Sequence, residues 1–242
     1  NIMAFTAQDV KALREKTGVG MMECKKALVE ADGDMDKAVD FLRERGLAAA
    51  AKKATRIAAE GVVLPYYDAE AKKGVVVEVN SETDFVAKNE KFMSFVEGVA
   101  KTILATNPAD VEALKEEKFD GTDRTVTETL NDLVLSIGEN MKVRRFERMD
   151  GVVSTYIHGG GSVGVMVGFD VADESKAATA EFDAMGKNVA MQIAAMSPAY
   201  LDEASVPAEV VEHEKTILAA QMKEDPKMAS KPEAVLAKIA AG

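Results

Sequence analysis

An internal repeat restricts what this 242-residue chain can fold into more than any other feature of its sequence. With Gly61 set over Gly151, an offset of 90, no gap is needed as far as Pro108 over Pro198. Identities fall at Gly61, Val62, Val63, Tyr66, Gly74, Val75, Val77, Ala87, Phe92, Val99, Ala100, Ile103, Ala105 and Pro108. That is 14 of 48 positions, against roughly three or four expected from average residue usage. The chain therefore contains a duplicated unit, and a fold must place two copies of one plan. In each copy an apolar strand (Val62 to Tyr67; Val152 to Ile157) meets a turn, and a second strand starts at Gly74 or Gly164. A polar crossing leads to a helix carrying Phe92, Val96, Val99 and Ile103, or Phe182, Val189 and Ile193, ended at Asn107-Pro108 or Ser197-Pro198.

The flanks follow other rules. Residues 4–46 read as a three-helix module of the ubiquitin-associated (UBA-like) type. Thr6 and Asp9 have capping-box spacing for a helix through Val10 and Leu13, and Thr17-Gly18-Val19-Gly20 breaks it. A second helix is expected over Met21 to Ala31. Asp34 caps a third, with Ala38, Val39 and Leu42 on one face, which is expected to end at Gly46. Residues 47–60, Ala-rich with Lys52, Lys53 and Arg56, read as a helical connector.

Behind the first copy, Leu130, Leu133, Val134 and Ile137 give one helical face, and Met141 to Met149 read as a third strand with Val143 and Phe146 set among charges. Residues 61–150 then form one core subdomain and 151–200 a second. No strand signal follows the second helix, so either another chain completes that half or it is cut short, and truncation is the expectation. In 201–242, helices over Pro207 to Lys223 and through Val235, Leu236 and Ile239 are split at Asp225-Pro226, which reads as a truncated helical hairpin or short coiled coil. The fold class is α+β, a duplicated β-β-α core with small antiparallel sheets between two helical flanks.

Composition excludes several functions. A formal charge of −11 argues against nucleic acid as a direct partner, because phosphate binding needs concentrated positive surface. The basic stretches Lys52-Lys53 with Arg56 and Lys142-Val143-Arg144-Arg145 read as solvated faces. Cys24 is the only cysteine, so neither an internal disulfide nor a cysteine metal cluster is available. With no apolar run of membrane-spanning length and no signal-peptide core, the expected address is the cytoplasm, away from membranes; Asn1-Ile2 ahead of Met3 read as cloning remnants.

Three segments invite a chemical reading. Residues 156–164, Tyr-Ile-His-Gly-Gly-Gly-Ser-Val-Gly, match G-x-G-x-x-G, the HGGG oxyanion loop and the G-x-S-x-G elbow. Each needs a strand running into a helix, whereas Val165-Met166-Val167 continue as a strand, so an enzyme is not expected. His158 stands at the mouth of that turn. Thr83-Asp84-Phe85-Val86 reads first as a helix start with Asp84 capping and Phe85 buried as a staple. The second copy has Asp173-Glu174-Ser175-Lys176 there, so the architecture does not require an aromatic, and Phe85 is expected to protrude as an anchor for a partner. Finally, the adjacent Met21 and Met22 cannot both face a three-helix core, so at least one is expected to be exposed, where methionine suits adaptable protein contacts, with core filling the alternative for Met22.

Residues 13–28, Leu-Arg-Glu-Lys-Thr-Gly-Val-Gly-Met-Met-Glu-Cys-Lys-Lys-Ala-Leu, and 78–88, Glu-Val-Asn-Ser-Glu-Thr-Asp-Phe-Val-Ala-Lys, are long and specific. Together with the repeat they resemble the elongation factor Ts family of bacterial translation factors, which drives guanine-nucleotide exchange on elongation factor Tu. The resemblance implies a non-enzymatic factor without a cofactor or metal of its own. It implies docking on the partner's GTPase domain through Arg14, Met21, Met22 and Lys25. Thr83, Asp84, Phe85 and Val86 would act on the partner's Mg2+, with Phe85 as a wedge and His158 on the same side. The runner-up is a peptide-binding adaptor of the ubiquitin-associated type, which leaves the duplicated core without a role.

Overall fold

Helix signals at the N-terminus act as the local chemistry dictates. Thr6 accepts a hydrogen bond from the Asp9 amide, and the Asp9 carboxylate accepts one from the Thr6 amide, closing a capping box on α1 (Ala7–Thr17). Gly18 takes the left-handed conformation that ends α1, and α2 (Met21–Glu30) starts behind Gly20. Asp34 caps α3 (Met35–Lys53) through the amides of Asp36 and Lys37. Leu13, Val19, Cys24, Leu28, Ala38 and Leu42 form the core of this bundle. The computed structural model describes residues 5–241, without the side chains of 229, 233, 237, 240 and 241.

The third helix corrects the expectation of an end at Gly46. It runs two turns further, to Lys53, because Gly46 answers a distant contact instead of ending a helix. A Cβ there would stand 3.3 Å from the Asn131 carbonyl oxygen and from Asp132 Oδ1, both on α7 (Val126–Ile137). Glycine lets the two helices close, and Arg43 pairs with Glu128 across the same seam.

The duplication is literal in three dimensions. In the first copy β1 (Glu60–Asp68) pairs antiparallel with β2 (Lys73–Ser81), followed by the short α4 (Asp84–Ala87) and by α5 (Glu90–Thr106). In the second, β4 (Val152–His158) pairs with β5 (Val163–Phe169), followed by α8 (Glu174–Ala177) and α9 (Ala180–Met196). Both helix pairs repeat at the sequence offset of 90, and both long helices end at a left-handed residue, Asn107 or Ser197.

Between the copies lie α6 (Val111–Glu116), α7 and β3 (Met141–Asp150). The last pairs with β2 to give a three-stranded sheet of order β1-β2-β3, whereas the described residues of the second copy form a two-stranded sheet. A register shift at Glu78/Val79 leaves Arg144 as the extra residue of a bulge, so Val143 and Phe146, three apart, both turn to the core.

Why Gly74 and Gly164 recur in the repeat is visible where the two sheets meet. A Cβ on Gly74 would lie 3.1 Å from Val153 Cγ1 on β4, and one on Gly164 would lie 2.7 Å from Val63 Cγ1 on β1. These are equivalent positions contacting each other reciprocally. The main core lies on the other face of the first sheet, where Val75, Val77 and Val79 meet Phe92, Val96, Val99 and Ile103.

Residues from Met196 onward form a second compact unit. It holds α10 (Ala208–Glu224), α11 (Pro226–Ala229) and α12 (Glu233–Ala241), with α10 touching both of the others. Asp225 caps α11 and places Pro226 at its first position.

Candidate functional site

Where β2 ends, the chain makes a four-residue helix instead of running straight into α5. Thr83, not Asp84, is the N-cap of α4; Asp84 sits at its first helical position and pairs with Lys88 at 3.1 Å. Successive residues on so short a helix point in different directions. Val86 is 5% exposed and belongs to the core, while Phe85 beside it is 80% exposed. Leaving a phenyl ring in water forgoes about 2–3 kcal/mol of burial energy. Val86 is thus not on the surface where sequence placed it among contact residues: it pins the segment from below.

Carboxylates surround the segment. Glu139 accepts hydrogen bonds from Thr83 Oγ1 at 2.7 Å and the Thr83 amide at 3.0 Å. Glu78, on the opposite face of β2 from the core, accepts from Arg145 Nε at 2.7 Å, Arg144 at 2.9 Å and Asn80 at 3.1 Å. Burial alone would raise the Glu78 pKa, and the hydrogen bonds from these three partners outweigh it, so the carboxyl titrates below its ordinary range.

On the N-terminal bundle, α2 buries Cys24, Ala27 and Leu28 and turns its other side outward. Met21 is 48% exposed and Met22 66%, and Arg14 and Lys25 are exposed as well. Val29, 51% exposed, was missed by the motif reading. Its signal was available, since Met22, Lys25 and Val29 stand at i, i+3 and i+7 on one helix face. The turn presenting the methionines is held from outside: Gly18 O accepts from Lys91 Nζ at 2.7 Å and Ser136 Oγ at 3.3 Å. The two exposed apolar features are therefore mounted on one body, through α5 and α7.

His158 is exposed at the end of β4, with Nδ1 3.0 Å from the Tyr156 hydroxyl. The turn beyond it, Gly159 to Gly161, has positive φ at all three residues, which only glycine adopts without strain. This turn and α4 share a cleft of about 440 Å³, lined by Asp84, Ala87 and Lys88 on one side and by Gly159 to Ser162 on the other. The glycine turn and α4 thus come together at Asp84, while Met21, Met22 and Lys25 are exposed on α2 and Arg14 on α1.

The catalytic patterns find no matching geometry. The glycines link two antiparallel strands, so no helix follows them directly in the chain, and Ser162 Oγ donates to the His158 carbonyl at 3.2 Å instead of to an imidazole. Among the described residues no group of three or more His, Cys, Asp or Glu could hold a metal ion. No described helix is long and apolar enough to cross a membrane.

A family model described as Elongation factor TS matches residues 82–242. A protein named elongation factor Ts from Clostridium perfringens is 52% identical over 241 residues, 98% of this chain and 77% of the relative. Another of that name, from Syntrophotalea carbinolica, is 51% identical over 243 residues, covering 99% and 77% respectively. A third, from Clostridium novyi, is 48% identical over 98% of this chain and 76% of its own length.

Proposed function

This chain belongs to the elongation factor Ts family, and on that premise we propose that it is a guanine-nucleotide exchange factor that binds elongation factor Tu and promotes GDP release during translation elongation. The observation that carries this reading is Phe85. A ring 80% in solvent, beside a neighbour only 5% exposed, is held out by the fold and lacks only a pocket to fill.

In this reading the UBA-like bundle docks on the partner's GTPase domain through Arg14, Met21, Met22 and Lys25, and Val29 extends the same face. Thr83 to Val86 presents Phe85 between two helices of the partner near its nucleotide, with Val86 as the buried root and His158 alongside. The wedge disturbs the partner's Mg2+ and phosphate site, and losing that counter-charge weakens GDP binding. Linkage fixes the thermodynamics: a factor that binds the nucleotide-free GTPase more tightly than the loaded one weakens nucleotide binding by the same ratio. No catalytic group on this chain is required. The cytoplasm is the matching compartment, and the domain plan is a 4–46 module, a 47–60 connector, subdomains 61–150 and 151–200, and a 201–242 hairpin of coiled-coil type.

The test loads elongation factor Tu with a fluorescent GDP analogue and follows its release with and without this chain. Acceleration that falls at least about tenfold in Phe85→Ala supports the reading. A release rate unaffected by the wild-type chain refutes it.

A further inference from the structure

A four-residue helix has no stability of its own, since helix nucleation is unfavourable and pays back only over several turns. Yet α4 holds Phe85 clear of the surface. Besides the buried Val86, hydrogen bonds outside the helix fix it. Thr83 makes no capping bond to its own helix. It turns its hydroxyl outward and donates to Glu139 Oε1 at 2.7 Å, while its amide donates to Glu139 Oε2 at 3.0 Å. The preceding residue returns the arrangement. Glu82 Oε1 accepts from the Asn140 amide at 2.5 Å, and the Asn140 side chain reaches the Arg56 carbonyl at 2.7 Å.

Two dipeptides 57 residues apart, Glu82-Thr83 and Glu139-Asn140, thus clasp each other reciprocally, each carboxylate taking the other's backbone N–H. Bonds to a charged acceptor are the strong kind, and two on one carboxylate restrict direction as well as distance. Among the described residues the second copy has no such device. Ala172 and Asp173 stand at the equivalent places, and Asp173 caps α8 locally by accepting from the Ser175 amide at 3.0 Å. Among the described residues the clasp therefore exists only in the copy that carries the exposed ring.

We propose that Glu139 is a positioning residue for Phe85: through Thr83 it holds the wedge in its protruding orientation before the partner arrives. This deepens the exchange reading and rests on it. Glu139 touches neither nucleotide nor metal; its effect passes through the ring. Ring orientation set in advance spares the ordering that would otherwise oppose insertion, so the loss belongs in the rate at saturation and not in docking, which α2 supplies.

The experiment uses the whole chain with elongation factor Tu carrying a fluorescent GDP analogue, measuring both the maximal release rate and the half-saturating concentration. Glu139→Ala should lower the maximal rate about five- to tenfold and leave the half-saturating concentration within about twofold. Glu139→Gln, whose amide oxygen still accepts from the Thr83 hydroxyl, should lose less. The decisive arm is the pair: Phe85→Ala with Glu139→Ala should be no slower than Phe85→Ala alone, because both act through one ring.

Multiplicative losses in the double variant overturn the proposal, as does a wild-type rate in Glu139→Ala when Phe85→Ala is slow; neither result touches the exchange reading. A fast Phe85→Ala removes both, and that arm alone tells the two failures apart. Melting curves accompany each variant. Where Glu139→Ala melts early, Thr83→Val, which keeps the backbone bond, takes its place and should show the same split between rate and half-saturation; a loss in half-saturation instead overturns the assignment.

Discussion

The two copies of the repeat share strand order, turn positions and helix ends, yet they bury very different amounts of themselves. In the first, Phe92, Val96, Val99 and Ile103 are fully enclosed between α5, the sheet and α7. In the second, the equivalent Phe182, Val189 and Ile193 are only half-buried, and Met185 and Met191 are exposed on the same helix. The cause is what each copy receives from outside itself. The first gains α7 and β3 from the segment between the copies, while the described second copy has two strands and one packed helix. A repeat specifies a scaffold, and the inserted segments decide how much of it becomes core.

The largest expected effect tests that inequality. Phe92→Ala should cost about 3–5 kcal/mol, the usual range for emptying a fully buried aromatic site. Phe182→Ala should cost about 1–2 kcal/mol, because the ring, though edge-on to Phe169 at 5.4 Å, is already partly wet. Urea unfolding of the two variants gives the comparison directly. Equal losses would break it and show that both copies are equally packed in solution.

Next in size is the seam between the sheets. Gly74→Ala and Gly164→Ala are equivalent substitutions at reciprocal contacts, and each places a methyl against the other sheet, the first also 2.8 Å from Met166 Sδ. Each should cost about 1–3 kcal/mol by overpacking. The Gly74 variant should be the milder, because a methionine terminus yields more readily than Val63 and the Pro65 ring 3.1 Å away on β1. Matched thermal melts read the difference, and a milder Gly164 variant would show that β1 moves more freely than its contacts with the second sheet suggest.

The sequence was legible mainly where structure follows from near neighbours, the Asp84 cap excepted. The Thr6–Asp9 capping box, the Gly18 break, the Asp34 cap and the apolar face of α7 all stand where local pattern put them. The repeat extended that reach, because comparing Phe85 with Ser175 separated a residue the fold needs from one it does not. What escaped were pairings between distant segments. Gly46 looked like a helix end because glycine usually is one, and nothing nearby in sequence announces α7 closing on it. The bulge at Arg144 and the clasp between Glu82-Thr83 and Glu139-Asn140 are likewise long-range facts. Val86 was grouped with its exposed neighbour because a motif carries no information on which of its side chains faces inward.

A smaller effect separates scaffold from function. Phe85→Ser writes the second copy's residue into the first, and Ser175→Phe does the reverse. Neither site is core, as α8 buries nothing and Phe85 lies in water, so both variants should melt within about 0.5 kcal/mol of the parent. Nucleotide release should fall for Phe85→Ser and stay at the parental rate for Ser175→Phe, since the second copy lacks the clasp. Destabilisation by Phe85→Ser would place the ring in the core and erase the distinction between the copies.

The smallest effect is electrostatic and belongs to the first copy alone, because the residue equivalent to Glu78 is Gly168. Hydrogen bonds from Arg145, Asn80 and Arg144 overcome the opposing effect of burial and hold the Glu78 pKa below its ordinary value of 4.5. A carboxyl depressed on folding binds protons more readily when unfolded, so its stabilisation is complete above the unfolded pKa and fades as pH falls through the folded one. Asp132 works in the opposite sense. Burial raises its pKa against the pull of Arg124, so its contribution is fullest in acid and is lost as pH rises. The total stability curve mixes the two, and the difference between wild type and Glu78→Gln isolates one. That difference should be constant near neutrality and shrink below pH 4.5, the two chains converging as Glu78 protonates in the wild type. A gap that stays constant into acid would mean that Arg144 and Arg145 hold the glutamate no more tightly than water does, and the bulged strand would then be joined to the first copy by its backbone and apolar side chains alone.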